Sequence, residues 1–91
     1  MTEEKVRVWL VERTYSDDEQ NLIILVYATP DGERYLRKER ALTSFADSPD
    51  TKVALEASPG RLSDVIDEET RDRYAREVER ISSRRDPGDT I

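Results

Sequence analysis

Ninety-one residues with 21 acidic and 15 basic side chains carry a net charge of −6, and the chain contains no cysteine and no histidine. This excludes a disulfide framework, thiol chemistry and histidine-based catalysis or metal ligation. It also works against general attraction to nucleic acid or an anionic membrane. The longest apolar run, Leu22 to Ala28, is seven residues, far short of a membrane span. The N-terminal Met1-Thr2-Glu3-Glu4-Lys5 has neither the basic nor the apolar region of a secretory signal, so a cytoplasmic location is expected.

The apolar residues are gathered in dense runs, which is what lets so polar a chain fold as one domain spanning 1–91. An ordered core is expected over about 4–84, with a frayed tail over 86–91. Val6 to Tyr15 alternates, with Val6, Val8 and Leu10 on one side and Arg7, Trp9, Val11 and Arg13 on the other, as a strand does. Ser16 to Asn21 is a polar turn. Leu22 to Thr29 is apolar at both parities, which marks a central strand. Pro30-Asp31-Gly32 reads as a three-residue hairpin loop with glycine in the left-handed position. Glu33 to Leu42, more charged, returns as an edge strand.

Thr43 to Asp50 reads as a loop, and Thr51 to Ala57 as an extended segment or a short fourth strand. Ser58-Pro59-Gly60 breaks the chain, and Leu62, Val65 and Ile66 have the spacing of one helical turn. A helix follows, with Asp67 as N-cap, Glu68 and Glu69 in its first turn and arginines in its last. Tyr74, Val78 and Ile81 form its single apolar stripe. Glu69 with Arg73 and Asp72 with Arg76 have the spacing of favourable ion pairs. Asp86-Pro87-Gly88 ends the helix. The expected fold class is α+β: a three-stranded or four-stranded antiparallel meander with one long C-terminal helix packed on one face.

A three-residue loop sets Tyr27 opposite Tyr35 and Leu25 opposite Arg37. A first turn centred near Asp18 sets Trp9 opposite Tyr27, so parity is shared across the strands. One face then holds Val6, Val8, Leu10, Leu22, Ile24, Val26, Leu36 and Leu42, the more aliphatic set and the one expected under the helix. The other holds Trp9, Val11, Ile23, Leu25, Tyr27, Tyr35 and Ala41, fringed by Arg7, Arg13 and Arg37. An apolar patch of this kind needs a cover. It can come from the chain itself (Phe45, Val53, Leu55, Leu62, Val65, Ile66), from a second copy, or from single-stranded nucleic acid stacked on the rings.

Chemistry-bearing motifs are missing. The glycines Gly32, Gly60 and Gly88 stand in turns rather than in a phosphate-binding loop. The acids Asp17, Asp18 and Glu19, and Asp64, Asp67, Glu68 and Glu69, lack the regular ligand spacing of a calcium loop. Neither a metal, a cofactor, a small-molecule ligand nor an enzymatic activity is expected. Arg34, Lys38 and Arg40 read as a solvated strand edge.

Twelve arginines against three lysines (Lys5, Lys38, Lys52), an excess of acids and the absence of cysteine give the chain a composition that resembles small acidic proteins of halophilic archaea. That resemblance implies an acidic surface adapted to salt and transfers no activity. The functional expectation is a non-enzymatic interaction module that self-associates, or binds another protein, through Trp9, Val11, Leu25, Tyr27, Tyr35, Arg7, Arg13 and Arg37. The alternative is a single-stranded RNA-binding protein using the same aromatic and arginine face.

Overall fold

The computed structural model describes residues 4–16, 22–41 and 51–90. The expected turn near Asp18 with its acids, the expected loop over 43–50, and Leu42 and Phe45 lie outside the described residues. Five antiparallel strands form one sheet: β1 (Val6–Ser16), β2 (Leu22–Ala28), β3 (Arg34–Ala41), β4 (Ala54–Ala57) and β5 (Ser63–Asp64), in the order β4-β1-β2-β3-β5. Among the described residues one α-helix, α1 (Glu68–Arg84), follows the strands. The expected meander is therefore the middle of a wider sheet, with a strand added at each side.

β4 occupies the segment for which a short strand is expected. β5 falls where helical spacing predicts a helical turn, and that expectation is corrected. Pro59–Arg61 forms a short 3-10 turn instead. The chain beyond it is held by main-chain pairing with Arg34 and Tyr35, and the Val65 amide donates to the Glu33 carbonyl at 2.8 Å. Side-chain pattern carries no trace of such bonds.

The hairpin between β2 and β3 is one residue longer than expected. The Thr29 amide donates to the Arg34 carbonyl (3.0 Å) and the Gly32 amide to the Thr29 carbonyl (2.8 Å), so the loop takes in Glu33. Asp31 is the cause. Its carboxylate accepts the Glu33 amide at 2.9 Å and the Thr29 hydroxyl, which lifts Glu33 out of the ladder. Ala28 consequently pairs with Tyr35, Tyr27 with Leu36 and Leu25 with Lys38.

A second shift occurs in β1. Leu10 pairs with Tyr27 but Glu12 with Val26, leaving Val11 as the extra residue of a β-bulge. Each one-residue slip moves side chains to the opposite face. The expected pairings Trp9 with Tyr27 and Tyr27 with Tyr35 are thus replaced, and the two faces are re-sorted.

α1 packs on the face carrying Trp9, Val26, Ala28 and Ala54, where Tyr74 and Val78 join a buried cluster with Val53 and Val65; Val11, Tyr35 and Ile81 pack at its margin. The expectation that the helix covers the Val8 and Leu10 face is corrected. That other face holds Val8, Leu10, Ile23, Leu25 and Tyr27, with Leu36, Leu55 and Leu62 against them. β2 is buried on both sides, as its unbroken apolar run requires.

The helix begins as its sequence dictates. The Asp67 carboxylate accepts the Thr70 amide (3.0 Å) and hydroxyl (2.8 Å), satisfying a donor that the first turn leaves without an intrahelical partner. Beyond α1 the chain does not trail away. The Asp86 amide donates to the Asp89 carboxylate (2.9 Å) and the Asp89 amide to the Asp86 carbonyl (3.0 Å). Thr90 then forms an antiparallel bridge with Lys52, and the Val53 amide donates to the Asp89 carbonyl at 3.0 Å.

Candidate interaction surface

The two register shifts divide the residues that the sequence grouped together. Trp9 lies under α1 at 8% exposure, with Val11 half-buried beside it. Tyr27 and Leu25 are buried on the opposite face at 1% each. The Tyr27 hydroxyl donates to the Lys52 carbonyl at 2.7 Å, and burial raises its pKa, with Arg40 opposing the shift. Arg7 is at the β4 side, 3.5 Å from Glu56. Arg13 pairs across with Leu25, away from the helix. Of the eight, Tyr35 and Arg37 share one groove on the helix side.

They line an open groove of about 430 Å³ between the sheet and the start of α1, with Glu12, Val26, Val65, Ile66, Thr70 and Tyr74 among the other walls. Each element contributes for a local reason. The bulge at Val11 turns Glu12 toward the helix, where it meets Arg73 at 3.4 Å. Arg73, which has the spacing to pair with Glu69, is so drawn to the sheet, and its guanidinium lies 5.3 Å from the centre of the Tyr74 ring. Burial raises the Tyr74 pKa, and the Glu12 charge adds to it. Asp67 at the rim is held below the usual carboxylate range, first by the Thr70 hydroxyl and then by the Thr70 amide.

Ile66 stands beside this groove at 90% exposure, the most exposed large apolar side chain among the described residues. It occupies the position immediately before the N-cap, where an apolar residue ordinarily packs on the fourth helical residue. Here that residue is Arg71, which offers no apolar side chain to receive it. Sequence reading placed Ile66 among candidate covers of the sheet. The signal for its exposure is the mismatch between Ile66 and Arg71.

Among the described residues no three acidic side chains gather at metal-binding distance, and no helix is long and apolar enough to cross a membrane. The fold defines a small α+β domain, an antiparallel five-stranded sheet with a single helix across one face. The chain belongs to a family of unknown function (DUF7967), whose model matches residues 2–91. No curated protein and no solved structure matches the chain.

Proposed function

We propose that this protein is a non-enzymatic interaction module of a salt-rich cytoplasm, and that it works as a homodimer joined through Ile66 and the groove beside it. The observation that carries the reading is the 90% exposure of Ile66 next to a groove floored by Val26, Tyr35, Val65 and Tyr74. Burying one such side chain contributes about 1.5–3 kcal/mol, and a two-fold contact makes that contribution twice. A knob and a socket on the same patch are what a self-complementary interface requires.

Charge controls the contact rather than making it. Asp64 and Asp67 stand near Ile66, while Arg37 and Arg73 at the groove already pair with Glu39 and Glu12 of their own chain. The apolar contact therefore carries the association. Two bodies of charge −6 repel at low ionic strength, and salt removes that repulsion by shortening the screening length to about 3 Å at 1 M. The RNA reading needs exposed rings for stacking. Burial of Trp9 and Tyr27 withholds two of the three, so protein contact is favoured.

The test is a concentration series followed by NMR. Shifts that grow with concentration are expected at Ile66, Val65, Tyr35 and Arg37 and not at Leu25 or Tyr27. Concentration-independent spectra, or shifts confined to the Leu25 face, would remove the proposal.

A further inference from the structure

β4 is the outermost strand at its side of the sheet, bonded inward to Val6–Trp9 of β1. Among the described residues, its outward side is held only just before its start, where the Val53 amide donates to Asp89 and Lys52 bridges to Thr90. Next to that bridge lies a groove of about 380 Å³ lined by Arg7, Lys52, Leu55, Glu56, Pro87 and Gly88. An open strand edge is a template for another strand.

The sequence of this edge names one partner strand. Lys52-Val53-Ala54-Leu55-Glu56, laid antiparallel on itself about Ala54, sets Lys52 opposite Glu56, Val53 opposite Leu55, and the small Ala54 opposite itself. Directly opposed residues of unlike charge stabilise a strand pair and like charges oppose it. Glu56 already has Arg7 at 3.5 Å on its inner side, so Lys52 of a second copy would approach it from the outer side. In this register Glu56 of the second copy would stand where Thr90 now lies opposite Lys52, next to the Val53 amide that the Asp89 carbonyl already holds.

We infer that Asp86–Thr90 is a strap that keeps the outer edge of β4 from pairing with β4 of a second copy, and that its release opens that edge to the partner strand. The strap is slight. Residues 86–88 and Thr90 are exposed, and the hydrogen bonds between Asp86 and Asp89 shape the turn that delivers Asp89 to Val53. It shares no residue with the groove beside Ile66, so the two assemblies are separable.

The experiment is sedimentation of the full chain carrying Ile66→Asp, which silences the helix-side contact. Adding Asp89→Pro removes both the Asp89 amide donor and its carboxylate, and the mass is expected to double. Further addition of Glu56→Lys sets lysine against lysine and is expected to return the monomer mass. Lys52→Glu together with Glu56→Lys is expected to restore association. Asp89→Ala, which removes the carboxylate alone, gives the same readings if Asp89→Pro loses helical circular dichroism. A folded strap variant of monomer mass overturns the inference, as does an association indifferent to the charge at position 56.

Discussion

At Gly32 the backbone φ is +74°, and a Cβ built there would overlap the Arg71 carbonyl oxygen and lie 3.0 Å from the Ala75 amide nitrogen. Left-handed backbone and close approach to α1 are both needed where the hairpin tip abuts the helix. Gly32→Ala is therefore expected to cost about 3 kcal/mol, from the left-handed penalty and overpacking together, as read by denaturant unfolding. Next to it, Asp31 has its pKa lowered, first by the Thr29 hydroxyl and then by the Glu33 amide, and Asp67 is lowered likewise by Thr70. A depressed folded-state pKa gives stability that is present above the unfolded value and lost as pH falls through the folded one. The thermal midpoint is expected to drop below about pH 4, and to drop less steeply in Asp31→Ala. Tyr27→Phe leaves the Lys52 carbonyl without its 2.7 Å donor and is expected to cost about 1 kcal/mol.

At the scale of elements, β2 is the strand with two burial obligations. Leu25 is 1% exposed on one face and Val26 7% on the other. Leu25→Ala is expected to cost about 2–5 kcal/mol, and Val26→Ala to destabilise too, although the two side chains point oppositely; an effect from one face alone contradicts a two-sided core. The existence of β1, β2, β3 and α1 was legible, because alternation, the apolar run, the Pro30-Asp31-Gly32 turn and the Asp67 cap each have a sequence period or a capping chemistry. The helix stripe of Tyr74, Val78 and Ile81 was legible for the same reason. Register was not. It turned on two residues, Glu33 held in the loop by Asp31 and Val11 extruded as a bulge, and hydrogen bonding of that kind leaves the hydrophobic pattern unchanged. β5 was hidden for a related reason, since two exposed residues paired through their main chain show no period.

For the whole molecule, these slips decide which surface is left over. Shared parity would have gathered three aromatic rings on one exposed face. The observed pairing instead places Trp9 under α1 and Tyr27 in the opposite core, and leaves Tyr35 and Arg37 beside the exposed Ile66. Half of the candidate site was thus unreadable without the register, and its apolar centre lay in a connector. The acidic charge of −6 makes ionic strength the natural control on the proposed assembly. Sedimentation equilibrium of the unaltered chain and of Ile66→Asp, from low salt to about 2 M, tests this most directly. Screening is already strong at 1 M, so the unaltered chain is expected to approach twice its monomer mass there while Ile66→Asp stays monomeric throughout. An unaltered chain that remains a monomer at every salt and concentration, or an Ile66→Asp chain that dimerises equally well, contradicts the account.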